Sequence, residues 1–252
     1  MQEFKDLLIE KYDKYFSAKP SREFVEACAI HYELLVKYNE MFNLTRITGV
    51  GESVLLHYID SVFVEAAAAD EKVFSDGNII ADIGTGGGFP AFPLFFHLVY
   101  NIGKKDIKMT LFESSVKKTD FLKICVKSLG IEKSVRCENM RLEDAGIDPK
   151  YREKFNIVTA RALASLPVLL EYAAPLMKVT GFGLFMKGED IEAEKTSAAK
   201  AVKVLNARYI KDYVYEIEGM QYKRRVLIIG KTGQTPKKYP RKSGIPKKMP
   251  LI

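Results

Sequence analysis

Between residues 78 and 230, apolar runs alternate with amphipathic stretches. Strand-like runs lie at 78–83, 107–113, 133–138, 155–160 and 181–187. Helical patterns occupy 90–100, 115–129, 165–177 and 189–205, and only a short turn follows the third run. This β-α-β-α order predicts an α/β fold built on a parallel sheet. Residues 208–218 and 222–230 break the rhythm. They are two strand-like runs joined at Gly219 with no room for a crossover helix, so they are expected to pair as a hairpin. The prediction is a seven-stranded, mostly parallel sheet with an antiparallel last strand.

The front of the chain is patterned differently. Residues 2–16, 21–39 and 52–68 carry apolar positions at helical spacing; in the second segment these are Phe24, Ala27, Cys28, His31, Leu34, Leu35 and Tyr38. Residues 39–48 interrupt the pattern. The expected organisation is a helical region over 1–75, an α/β domain over 76–235 and a tail over 236–252. With four prolines in seventeen residues, the tail is expected to be extended.

A chain of 252 residues can bury a full core. It has no uncharged apolar run long enough to span a membrane, and its charged N-terminus does not read as a secretory signal. Cys28, Cys125 and Cys137 lack C-x-x-C spacing and read as reduced thiols of a cytoplasmic protein. His31, His57 and His97 form no metal-ligand pattern. The net charge of +7 is unevenly spread: residues 1–75 hold eight bases and thirteen acids, whereas 236–252 hold six bases and no acid. A polyanionic partner met by the body and tail is one reading, and a solvated tail is the other.

The candidate chemistry begins at IIADIGTGGGFP, residues 79–90, where four glycines fall within five residues after a strand. Such a turn exposes backbone N–H groups and lets a ligand approach the main chain. Phe89 stands where a dinucleotide fingerprint needs glycine, and no G-x-x-x-x-G-K-[ST] loop is present. The pattern Asp82-x-Gly84-x-Gly86-x-Gly88 instead resembles motif I of the class I methyltransferases that use S-adenosylmethionine, a Rossmann-like fold.

In an open parallel sheet, ligands bind beyond the carboxyl ends of the strands. Glu113 ends the second strand and is placed to accept from ribose hydroxyls; Ser114 and Ser115 are available to cap the following helix. The loop 138–144 follows the third strand and, in the methyltransferase fold, flanks the adenine. There Leu142 can pack on the ring and the backbone near Glu143 can read its edge, a surface turn being the alternative. The fourth strand ends at Arg161, which can hold phosphate or the Hoogsteen edge of guanine, or else satisfy carbonyls or pair with Glu143. The fifth places Lys187 on the same rim, with a solvated lysine as the alternative. Neither an [N/D]-P-P-[Y/F] motif nor a cysteine nucleophile lies at the fourth strand. These absences point to an acceptor that needs no general base, such as guanine N7, with Arg161 in a positioning role.

Further segments carry a closer resemblance. Asn43-Leu44-Thr45, His57-x-x-Asp60-Ser61, the 82–90 turn with Pro93, and Glu113-Ser114 with Lys117-Lys118 and Phe121-Leu122 are similar to the glucose-inhibited division protein B family. So are Arg141-x-Glu143, Arg161-Ala162, Lys187-Gly188 and the terminal KYPRKSGIPKKMPL. These are bacterial small-subunit rRNA guanine-N7 methyltransferases, and the likeness runs from about residue 24 to the C-terminus. It implies a class I methyltransferase domain with a helical N-terminal extension, S-adenosylmethionine as donor, and 16S rRNA or the small ribosomal subunit as partner. A cytoplasmic monomer is expected. The resemblance implies cofactor contacts at Gly84, Phe89, Leu142, Glu143 and Arg161; motif I and the strand ends add Asp82, Thr85, Gly86, Gly88, Glu113 and Ser114. Lys187 joins Arg161 as a candidate at the acceptor. The family often has proline where Gly87 stands and usually aspartate where Glu113 stands. Asn43, Thr45, His57 and Asp60 lie outside the methyltransferase core; a structural polar network is the favoured reading and an RNA-facing role the alternative. The competing functions are a non-catalytic RNA-binding protein on a methyltransferase scaffold and a small-molecule methyltransferase.

Overall fold

The computed structural model describes residues 1–188 and 191–252. Seven strands form one sheet: β1 (Ile79–Ile83), β2 (Lys108–Glu113), β3 (Val135–Asn139), β4 (Phe155–Arg161), β5 (Met177–Lys187), β6 (Ala207–Tyr215) and β7 (Arg224–Lys231). Their order is β3-β2-β1-β4-β5-β7-β6. The pairs β1/β4, β2/β3 and β4/β5 are parallel, whereas β7 runs antiparallel to both β5 and β6. The predicted hairpin is therefore present, with its second strand inserted beside β5. Four consecutive residues of β1 and four of β4 are buried, the signature of strands covered on both faces.

The chain divides into two compact units, residues 1–77 with 85–139 and residues 78–84 with 140–252. The first contains α1 (Gln2–Phe16), α2 (Arg22–Phe42), α3 (Val50–Ser53), α4 (Asp60–Ala68), α5 (Ala91–Phe96), α6 (Val116–Ser128), β2 and β3. Ser21 starts α2 by accepting the Phe24 N–H, and Asn43 ends it in the left-handed region at φ 49. The helix outruns its expected end at 39 because the Asn39 side chain does not break it. Its Oδ1 instead accepts the N–H groups of Leu44 and Thr45 beyond the helix. Between α3 and α4 the chain widens into a π-helical stretch, Val54–Ile59, which buries His57, Tyr58 and Ile59 in succession. A second π-helical stretch, His97–Asn101, extends α5.

The second unit contains the remaining strands with α7 (Leu142–Ile147), α8 (Leu166–Ala173), α9 (Glu192–Ser197), α10 (Ala199–Val204) and α11 (Ile245–Lys248). The turn expected after β3 is the short helix α7. The helix expected over 165–177 stops at Ala173, because the carbonyls of Pro175 and Leu176 take the N–H groups of Glu153 and Phe155 instead. The helix expected from 189 divides into α9 and α10; its residues 189–190 lie outside the described residues.

The tail corrects the expectation of an extended segment. It is docked within the second unit and ends in the single turn α11. Tyr239 and Leu251 are buried, and the Arg152 guanidinium donates to the carbonyls of Gly146, Thr235 and Tyr239. The buried Lys231 ammonium donates to Glu153, Ala174 O and the Thr235 hydroxyl at 2.7–3.1 Å. Burial pulls its pKa down, against the pull of Glu153. Arg241 grips the buried Glu171 in bidentate fashion, donating from Nε at 2.9 Å and from Nη2 at 2.6 Å. Proline removed regular secondary structure without removing packing, because carbonyls of the non-helical chain remain free to accept these donors.

Candidate active site

Asp82 lies buried next to the last residue of β1, and its Oδ1 accepts from the Thr159 hydroxyl of β4 at 2.6 Å. Gly84 follows at φ 66, where a Cβ would stand 2.4 Å from Leu163 Cδ1. Within the second unit, glycine thus lets the turn lie directly against the loop after β4.

In the first unit, Thr85 O closes the turn by accepting the N–H groups of Gly88 and Phe89. Gly88, at φ 92, has Phe92 so close that a Cβ would fall 2.2 Å from its ring. Gly86, at φ 56, differs: a Cβ there would meet nothing within 4 Å. Its N–H donates to Glu113 Oε2 at 3.1 Å, and the Ser115 N–H donates to Oε1 at 2.9 Å. Glu113 therefore ties the glycine turn to the start of α6, and each oxygen keeps a lone pair for a ligand hydroxyl. Ser114 is exposed beside it.

His31 carries no functional expectation from its sequence context, yet it buttresses the same turn. Its Nε2 lies 3.0 Å from Gly87 O and its Nδ1 lies 2.9 Å from the Tyr58 hydroxyl. A carbonyl only accepts, so Nε2 carries the proton and the Tyr58 O–H donates to Nδ1. Complete burial lowers the imidazole pKa to about 3. Only helical periodicity marked this residue, as a core position of α2. Phe89 packs its ring flat on His57 at 4.2 Å and edge-on to Tyr58 at 5.5 Å. Its side chain belongs to the core of the first unit. His57 Nε2 lies 3.0 Å from the Thr45 hydroxyl.

In the second unit, Leu142 and Glu143 open α7, both largely buried. Glu143 accepts the Gly244 N–H from the tail at 2.8 Å and hydrogen-bonds Tyr172. Gly146 of the same helix presses on Pro240: a Cβ would sit 2.7 Å from its Cγ. The tail thus clasps α7 at both ends.

Arg161 ends β4 and lines a cleft of about 430 Å³ with residues 162–165 and Lys187. Ala162 adopts φ 51, costly for a side-chain-bearing residue. The Lys187 ammonium is not solvated. It donates to Ala164 O at 2.8 Å and to Glu194 at 2.6 Å, bracing this strained loop.

These features fit a nucleoside donor. The space before Gly86 is open, and the buried Thr85 Oγ1 has no hydrogen-bond partner among the described residues. The same residues show no cluster able to hold a metal ion and no helix long and apolar enough to cross a membrane.

Comparison with known proteins agrees. Among solved structures, the [4+2]-cyclase SpnF superposes with a TM-score of 0.51 at 11% identity, covering 68% of this chain and 80% of that one. TYW2 from P. horikoshii in complex with MeSAdo superposes with 0.51 at 14%, covering 69% and 62%. At such identities the likeness shows the class I methyltransferase fold alone; a cyclase shares it. Closer relatives are each named ribosomal RNA small subunit methyltransferase G. The protein of Desulfitobacterium hafniense is 40% identical over 229 residues, 90% of each chain. That of Lactococcus lactis subsp. lactis is 38% identical over 251 residues, 99% of this chain and 98% of the relative. The model of the family described as rRNA small subunit methyltransferase G matches residues 25–220. With its fold, its glycine turn and relatives matched almost end to end, the chain belongs to the rRNA small subunit methyltransferase G family.

Proposed function

We propose that this protein transfers a methyl group from S-adenosylmethionine to N7 of a guanine in 16S rRNA, free or in the small subunit. The observation that carries this reading is the glycine turn, with open space before Gly86 and an unpartnered Thr85 hydroxyl, in a chain of this family. Asp82, Gly84, Thr85, Gly86 and Gly88 form the donor turn, and Phe89 fixes its exit through the core. Glu113 and Ser114 take the ribose hydroxyls, and Leu142 and Glu143 meet the adenine. When bound, the donor supplies an electrophilic methyl group on a sulfonium.

Guanine N7 attacks with an in-plane lone pair and loses no proton, so the chain needs no general base. Its task is alignment. Arg161 positions the acceptor nucleotide, and Lys187 acts through the loop that it braces. Five lysines of the docked tail, at 237, 238, 242, 247 and 248, are exposed and suit RNA phosphates better than a small-molecule substrate. The protein works as a cytoplasmic monomer.

The test is calorimetric titration with S-adenosylhomocysteine, followed by mapping of N7-methylguanine on rRNA from cells carrying wild-type or Arg161→Ala protein. Micromolar binding and one wild-type-dependent N7-methylguanine are expected. Loss of the arginine should lower kcat/KM about 10- to 100-fold, the worth of a charged hydrogen bond. Absence of donor binding would favour the non-catalytic scaffold, and a protein that binds donor but leaves rRNA unmethylated would favour a small-molecule acceptor.

A further inference from the structure

The cleft at the ends of β4 and β5 contains a carboxylate that the roles above leave unused. Glu194, on α9, lines it together with Arg161, Leu163, Ser165, Lys187 and Arg224. Its Oε2 accepts both the Leu166 N–H at 2.8 Å and the Lys187 ammonium at 2.6 Å. Those two donors fix the carboxylate in orientation, and a carboxylate oxygen only accepts. Its Oε1 accepts no hydrogen bond from the described residues, and the side chain is one-third exposed. The cleft wall is also the wall of the donor turn, because Leu163 lies against Gly84. At about 430 Å³ the cleft falls within the ~300–1,000 Å³ of small-ligand sites.

Methyltransferases that act on a base take a single-stranded or flipped-out nucleotide and read it by hydrogen bonds to its Watson–Crick edge. Guanine presents N1–H and the N2 amino group there, both donors. Adenine presents an acceptor at N1. A fixed carboxylate oxygen matches the first and repels the second. It also grips the edge opposite N7, leaving the reacting lone pair uncovered, whereas an arginine hydrogen-bonded to N7 would occupy it. Resting on the reading that the protein methylates a guanine of rRNA, we propose that Glu194 is its specificity-determining residue. Oε1 accepts from the N1–H and N2 amino edge of the target guanine, and Lys187 and the Leu166 N–H hold that oxygen in place.

The test compares methyl transfer to small-subunit RNA carrying, at the mapped target position, either guanine or 2,6-diaminopurine. The analogue keeps N7 and the N2 amino group but replaces N1–H by an acceptor. Wild-type protein should prefer guanine by about 100-fold in kcat/KM, in line with a site built around a polar pair. Glu194→Gln offers an amide that donates as well as accepts, and should shrink the preference to about 10-fold or less. Glu194→Asp should lower activity on guanine yet keep the preference. A merely structural glutamate would, when replaced, slow both substrates equally; an unchanged ratio in a Glu194→Gln protein that still binds S-adenosylhomocysteine overturns the proposal. If that variant fails to fold, the wild-type ratio decides, and equal transfer to both bases overturns it. Wild-type protein that binds no S-adenosylhomocysteine, or methylates no guanine, would refute the functional reading itself.

Discussion

At the scale of single residues, the glycine turn separates two uses of one residue type. Gly86 and Gly88 both have positive φ, but a Cβ at Gly86 meets open space and one at Gly88 meets Phe92. Gly86→Ala should therefore cost only the backbone strain, about 1–2 kcal/mol of stability, while a methyl group standing where the donor belongs weakens S-adenosylhomocysteine binding at least about tenfold. Gly88→Ala adds a clash with a buried ring and should lose stability first. Thermal melts paired with calorimetry on both variants check this. His31 yields a pH signature. Its pKa falls from 6.5 to about 3 on folding, so below pH 6.5 the unfolded chain binds a proton that the folded chain refuses. Its contribution to stability is whole above pH 6.5 and is lost on acidification toward pH 3, with a slope of at most about 1.4 kcal/mol per pH unit. Denaturant titrations of wild type and His31→Gln across that range should differ by this slope. Equal slopes would show that the imidazole is not held neutral.

At the scale of elements, the tail has two separable roles. Arg241, Gly244 and Pro240 face inward, onto Glu171, Glu143 and Gly146, whereas the five lysines face solvent. Arg241→Ala leaves the buried Glu171 carboxylate without its main donor and should cost about 3–5 kcal/mol, the price of breaking a buried pair. By loosening the tail from α7, it should also weaken donor binding. Lys237→Gln with Lys238→Gln should leave donor affinity and stability unchanged. It should lower the slope of log RNA affinity against log salt by about 1.4–1.8, if each lysine meets one phosphate. A filter-binding salt series distinguishes these outcomes. A basic, proline-rich stretch reads as a loose polyelectrolyte because charge and proline content are visible in sequence, whereas the acid that captures its single arginine lies 70 residues away.

At the scale of the whole molecule, donor binding should appear as global stabilisation. At 100-fold excess over Kd, a ligand that binds only the folded chain adds about 2.7 kcal/mol, which for a chain of this size raises the melting midpoint by about 5–10 °C. Differential scanning fluorimetry with S-adenosylhomocysteine measures it, and an unmoved midpoint at that excess would contradict donor binding to the folded state. The sequence by itself determined the succession of strands and helices, the antiparallel close of the sheet, and the glycine turn with Glu113 beyond the next strand. Each of these follows from local rules: side-chain period, the φ that glycine permits, and the loop length that a hairpin or crossover needs. The tertiary structure decided the partners. It set His31 against Gly87 O, wedged Phe89 into the helical core, tied Lys187 and Glu194 together at the rim of the cleft, and bonded Glu143 to Gly244 across 101 residues. No local pattern encodes such pairings. A buried polar group is satisfied by whichever donor or acceptor the folded chain brings within 3 Å, and only the packing of the entire chain makes that choice.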